Sequence, residues 1–167
     1  MRFWYDTEFY EDGKTIDLIS FGIVAEDGRE LYLENSTFDW KRVPNDHFVM
    51  EHVSPHMQGE GTVFPKTMIA WAVKEFIVDK SPYEKHELWG YYSSYDHVVL
   101  AQLFGTMVEM PKGIPWFTRD LKQWAEQLNY PHPFPGPEDE HHALNDARWN
   151  KKVWELLNEY DGGSYYA

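Results

Sequence analysis

Two Asp-Gly pairs, Asp12-Gly13 and Asp27-Gly28, punctuate the N-terminal part of the chain and constrain its folding more than any other feature. Asp-Gly supplies the positive backbone angles that a tight hairpin turn needs. Around the pairs lie residues 2–9, Ile16–Val24 and Leu31-Tyr32-Leu33, runs rich in β-branched and aromatic side chains. Three such runs joined by two hairpins predict an antiparallel three-stranded meander.

The remainder alternates. Residues 35–64 carry Pro44, Pro55, Gly59 and Gly61 and read as an irregular connection with one short helix. Pro65–Val78 places Met68, Ile69, Ala72, Val73, Phe76 and Ile77 at helical spacing, with Pro65 suited to a first turn. Leu88–Tyr92 reads as a fourth strand, Asp96–Phe104 as a helix and Ile114–Phe117 as a short strand. Thr118–Leu128 reads as a helix capped by Thr118. Residues 131–140 hold four prolines and read as a loop, Ala143–Tyr160 is the last helix, and a frayed tail is expected from Gly162. The order predicts an α/β fold: a mixed sheet, three strands of it a meander, with helices packed on it. At 167 residues the chain is expected to form one domain, 1–167, able to bury about 70% of its unfolded surface without staples.

There is no cysteine, which excludes disulfides, thiolate metal sites and cysteine nucleophiles, and agrees with a cytoplasmic protein. Neither a signal peptide nor an apolar run near 18 residues is visible, so no membrane partner is expected. The net charge is −13, from 28 acidic against 15 basic residues. That argues against a general nucleic-acid coat, which needs a basic face. An acidic protein can still handle a polyanion where metal ions mask its carboxylates.

The acids therefore decide the chemistry. Asp6 and Glu8 are two apart on a predicted strand and project to one face. At about 4 Å two such charges repel by roughly 4 kcal/mol in an effective dielectric of 20. Hard cations such as Mg²⁺ or Mn²⁺ take oxygen ligands of this kind and offset the repulsion; an exposed acidic pair is the plain alternative. Asp96 follows a predicted strand and opens a helix, where it is either an N-cap or a ligand. His141 and Asp146 are five apart at the entry to the last helix. Within a helix they would lie about 140° apart, a constraint that vanishes if His141 sits in the preceding loop. Two divalent ions carry enough charge to cancel four carboxylates, can ready a water, and can stabilise the oxygen leaving a phosphodiester. An imidazole then supplies the general base near neutral pH.

This constellation, Asp6-x-Glu8, Tyr95-Asp96 and His141-x4-Asp146 within His141-His142-Ala143-Leu144-Asn145-Asp146-Ala147, resembles the DEDD exonuclease superfamily in its His-containing branch, DEDDh. The resemblance implies an RNase H-like fold, metal binding by Asp6, Glu8, Asp96 and Asp146, and His141 as the base. Asp6-Thr7-Glu8-Phe9, Glu11-Asp12-Gly13, Thr15-Ile16, Leu18-Ile19-Ser20, residues 24–30, Glu87-Leu88-Trp89 and Tyr95-Asp96-His97-Val98 are similar to the bacterial polyadenylate-specific 3′-exoribonucleases of the AS type. That group implies stepwise 3′→5′ release of nucleoside 5′-monophosphates from single-stranded RNA ends, two Mg²⁺ ions with Mn²⁺ as substitute, and homodimers. Where many relatives carry Asn, four residues before the Tyr of the second motif, this chain has Tyr91. A hydrogen bond to the nucleotide is then lost or replaced by an aromatic face.

Other residues have two readings. Phe9 either stacks on the terminal base or joins the core, and Thr7 points away from the acids while its backbone N–H is free to meet a nucleotide. His52-x3-His56 reads as loop histidines rather than a zinc pair, because Pro55 interrupts a helix. His142 reads as a bystander, His97 as helix surface, Trp149 and Trp154 as core, and Lys151-Lys152 as a solvated face. The functional alternatives are a DNA or short-oligonucleotide exonuclease and a module on the same fold that holds 3′ ends without cutting.

Overall fold

The computed structural model describes residues 1–78 and 85–162. The predicted meander forms as β1 (Arg2–Glu11), β2 (Ile16–Ala25) and β3 (Glu30–Asn35), each longer than its sequence run. Gly13 and Gly28 occupy the hairpins with φ of 80° and 89°, the left-handed region that Gly enters without steric cost. Two further strands lie on the far side of β1: β5 (Glu87–Gly90) and β6 (Thr118–Asp120). With β4 (Val63–Phe64) they complete a six-stranded mixed sheet of order β4-β3-β2-β1-β5-β6. The meander is antiparallel, while β3–β4, β1–β5 and β5–β6 are parallel.

Several boundaries differ from the sequence reading. The connection after β3 holds three short helical turns, Trp40–Arg42, Val49–Val53 and Ser54–His56, before β4 forms. The strand expected at Ile114–Phe117 forms instead at Thr118–Asp120, beyond Pro115, which has no N–H to give a ladder. Thr118 is therefore not a helix cap. Asp120 caps α3 (Leu121–Gln127), its carboxylate accepting from the Gln123 N–H at 3.0 Å. The frayed tail falls on residues 163–167, outside those described, apart from Gly162 in a closing turn.

Helices cover both faces of the sheet. On one, α1 (Lys66–Val78) and α2 (Ser94–Gln102) pack Ile69, Val73, Ile77, Val99 and Leu100 on Phe3, Tyr5, Phe21 and Ile23. On the other, α3 and α4 (Ala143–Tyr160) pack Leu121, Trp124, Val153, Trp154 and Leu157 on Trp4 and Trp89. The Trp4 and Trp154 rings meet edge-on at 5.4 Å, an arrangement worth about 0.5–1.5 kcal/mol beyond area burial. Among the described residues no helix is long and apolar enough to cross a membrane.

Two contacts set α4 against the middle of the sheet. Asn150, fully buried, donates from Nδ2 to the Tyr5 carbonyl at 3.0 Å. Gly22, paired with Asp6, lets the start of α4 approach so closely that a Cβ there would sit 2.3 Å from Ala143 and Leu144 backbone atoms. Gly22→Ala therefore forces the helix away from the strand. We expect a loss of about 1–3 kcal/mol in urea unfolding, as for overpacking elsewhere, or more since the clash is with backbone. A variant as stable as the parent would contradict this packing.

Candidate active site

Asp6 and Glu8 stay on one face because the β1–β2 register is unbroken through Asp6–Gly22, Thr7–Phe21 and Glu8–Ser20. It slips only beyond Glu8, where Phe9 pairs with Leu18 and Ile19 is left over. Bulges of this kind end regular pairing beside functional sites. Both carboxylates look toward α4 and line one cavity of about 420 Å³ with Tyr91, Tyr92, Glu140, His141, Asp146 and Trp149.

The approach to α4 settles the open question of His141. It precedes the helix, with φ of 70°, and His142 is the N-cap, its ring nitrogen accepting from the Asn145 N–H. His141 is thus free of helical geometry, and its backbone N–H donates to Asp146 Oδ2 at 2.9 Å. The result is convergence: ligand atoms of Glu8, His141 and Asp146 all lie within 4.8 Å of one another.

Asp96 comes from the opposite face of the sheet. It lies in the first turn of α2, with Ser93 at the N-cap position, so it does not cap the helix. Thr7 holds it: the Thr7 N–H and hydroxyl both donate to Asp96 Oδ1, at 2.9 and 2.6 Å. The Thr7 N–H expected to be open to a nucleotide is thus engaged, and Asp96 sits buried behind the cavity rather than among its lining residues.

Electrostatics joins these groups. Burial, then Asp96, Glu8 and Asp146, push the Asp6 carboxyl well above its ordinary value. Glu8 rises to about 8, by burial and then by Asp146 and Asp96. Asp146 rises to about 7, by burial and by Glu140 and Asp96, against the His141 N–H. Asp96 rises only to about 6, because the two Thr7 bonds favour its charged form against burial. Among the described residues no Lys or Arg pairs with any of the four. A nest of carboxylates with oxygen donors and one imidazole, unpaired with any Lys or Arg among the described residues, fits a hard divalent metal. Burial, with His52 and His56 nearby, lowers the His141 pKa and so favours the neutral imidazole.

The other candidates separate. Phe9 is half-buried and meets Tyr95 edge-on at 5.7 Å, at the margin of the core. His52 and His56 lie on helical turns, and the His52 ring is 5.7 Å from that of His141. Phe48, half-exposed, meets His141 edge-on at 4.9 Å. His142 is more than a bystander, stacking on Tyr32 at 4.3 Å and meeting the Gln58 amide at 2.8 Å. His97 is half-buried rather than surface, its Nδ1 3.0 Å from Thr118 Oγ1. Trp154 is core, Trp149 is partly buried against the same core and also lines the cavity, and Lys151 lies over the Trp4 ring. Sequence reasoning missed Tyr92, Glu140 and Phe48; only the Tyr91-Tyr92 pair at the end of a strand gave a signal.

A model of the family described as 3′-5′ exoribonuclease Rv2179c-like domain matches residues 1–157. Two relatives from Mycobacterium tuberculosis share 41% identity over 164 residues, 96% of this chain and 95% of their own length. They are named 3′-5′ exoribonuclease Rv2179c, from strain H37Rv, and 3′-5′ exoribonuclease MT2234.1, from strain CDC 1551. With the match running through every acid of the site and His141, this chain belongs to the 3′-5′ exoribonuclease Rv2179c-like family.

Proposed function

We propose that this protein is a 3′→5′ exoribonuclease of the DEDDh kind on an RNase H-like sheet, hydrolysing single-stranded RNA ends to nucleoside 5′-monophosphates. The observation that carries the reading is the convergence of Glu8, Asp146 and His141 within 4.8 Å, beside Asp6 and Asp96, with no Lys or Arg among the described residues pairing with the acids. The relatives' names support RNA as the substrate.

Asp6, Glu8, Asp96 and Asp146 would hold two Mg²⁺, or Mn²⁺ in their place. Divalent cations in such a site supply charge that readies a water and stabilises the oxygen leaving a phosphodiester. Thr7 fixes the Asp96 carboxylate, and the His141 N–H fixes that of Asp146. The neutral His141 imidazole accepts a proton from the attacking water at a ring nitrogen. The phosphorus–O3′ bond breaks, the departing O3′ takes a proton from solvent, and a 5′-monophosphate and a new 3′-hydroxyl result. Divalent cations held by these acids, rather than a basic surface, would neutralise the scissile phosphate and so reconcile a protein of net charge −13 with a polyanion.

The test is degradation of a 5′-labelled single-stranded RNA. Mg²⁺ should give a ladder shortening one nucleotide at a time, and EDTA should stop it. Equal degradation in EDTA, or internal cuts, contradicts the reading. A matched DNA oligomer decides the sugar, since only RNA offers the 2′-hydroxyl.

A further inference from the structure

Two rows of residues run across the centre of the sheet on one face. The registers of β1 with β2 and of β2 with β3 make one row Asp6–Gly22–Tyr32 and the next Glu8–Ser20–Glu34. Residues paired in this way project together. Asp6 and Glu8 therefore stand at one end of the rows, with Tyr32 and Glu34 two strands away at the other. Between them is Gly22, the gap on which the start of α4 rests at Ala143 and Leu144. A hold on that helix start from the Tyr32 side also sets where His141 and Asp146 fall against the acids.

His142 is that hold. It is only 5% exposed, and its ring stacks on Tyr32 at 4.3 Å with 21° between the planes. Nδ1 accepts from the Asn145 N–H at 3.4 Å, and Nε2 lies 2.8 Å from the Gln58 side-chain amide. The His142 carbonyl accepts from the Asp146 N–H at 3.0 Å. Behind the ring, the buried Glu34 carboxylate accepts from the Tyr32 hydroxyl and from the Gln58 and Gly59 N–H groups. Tyr32 and Gln58, which grip the ring, are thus tied to one carboxylate. Capping alone does not call for this, since Ser, Thr, Asn or Asp caps a helix with a single oxygen. The residue before, His141, has φ of 70°, and its N–H reaches Asp146 Oδ2 only while this turn keeps its shape.

We infer that His142 is a positioning residue: its ring, clamped by Tyr32 and Gln58, locks the first turn of α4 so that the Asp146 carboxylate and the His141 imidazole meet the acids of β1. The inference rests on the exoribonuclease reading of those acids, and gives His142 a role in rate rather than in binding RNA.

The test separates the clamp from the cap. His142→Asn keeps a side chain able to accept the Asn145 N–H but loses the ring. Gln58→Met keeps cap and ring and removes the amide; Gln58 lies at the surface, so Tm should stay within about 2 °C of the parent. For each protein, kcat and KM on 5′-labelled single-stranded RNA with Mg²⁺ are measured well below Tm and expressed per folded molecule. His142→Asn should lower kcat by on the order of ten-fold with KM within about two-fold, because a misplaced ligand and base act on the transition state. Gln58→Met should lower kcat in the same sense, again without a change in KM. The Mn²⁺ concentration that gives half the maximal rise in Tm, a readout independent of turnover, should increase by on the order of ten-fold in His142→Asn. A parental kcat or a parental Mn²⁺ response in folded His142→Asn overturns the inference. So does a fall in kcat that Gln58→Met, at parental Tm, does not share, and so does an effect on KM alone. A parent protein that leaves the RNA intact overturns the exoribonuclease reading first, and the role in rate falls with it.

Discussion

His141→Asn lowers the rate of mononucleotide release by about 10²–10⁴-fold, the usual contribution of a positioned general base. Asn is the informative replacement. Position 141 has φ of 70°, which Asn tolerates better than Ala, and its backbone N–H still bonds the Asp146 carboxylate at 2.9 Å in the parent geometry. The variant therefore loses the imidazole while keeping the acids in place. Single-turnover release from 5′-labelled RNA at saturating Mg²⁺ measures the effect, and a variant within a few-fold of the parent contradicts the role of base. The pH dependence has a sign. Burial lowers the His141 pKa below its ordinary 6.5, so the imidazole stays neutral down to that point and activity falls as acid protonates it. Protonation of the acids on the same side works in the same direction.

Metal ions should stabilise the protein, and more so at alkaline pH. Glu8 moves from an ordinary value of 4.5 to about 8, Asp146 from 3.8 to about 7 and Asp96 from 3.8 to about 6. Each folded-state value is raised, so the folded protein holds more protons than the unfolded chain between about pH 4 and pH 8. Stability from these groups is complete below the unfolded values and is lost as pH rises through the folded ones. The metal-free protein should thus lose stability from pH 5 to pH 8. A divalent ion at 100 times its dissociation constant adds about 2.7 kcal/mol. In a domain of this size that raises Tm by about 5–10 °C. The rise with Mn²⁺ should be large at pH 8 and small at pH 5, where protons compete for the same oxygens. A scanning-fluorimetry series with and without Mn²⁺ reads it; a shift independent of pH contradicts the assignment of the raised acids as ligands.

The sequence made some parts of this molecule legible and hid others for physical reasons. The hairpins of the meander were visible because Asp-Gly turns act locally, and α4 begins and ends where its periodicity does, at Ala143 and Tyr160. β4 and β6 were hidden or displaced because strands of two and three residues carry no pattern of their own and exist through pairing with β3 and β5. Asp6 and Glu8 could be placed on one face by strand alternation alone, and the register through Glu8–Ser20 is what keeps them there. Thr7 was harder. Alternation shows that it points away from those acids, but not that Asp96 waits on that side to take both its donors. Gly22 and Asn150, which bring the Asp146 helix against the Asp6 strand, had no local signal at all, since each matters only through a partner distant in the chain.

Asp6, Glu8, Asp96 and Asp146 are proposed to gather around divalent ions. A crystal soaked in Mn²⁺ at pH 8 and measured for anomalous scattering tests it directly. Two peaks are expected in the cavity, coordinated by oxygens of Asp6, Glu8, Asp96 and Asp146, with His141 alongside. Manganese absent from that cavity, or bound only at exposed surface acids, contradicts it.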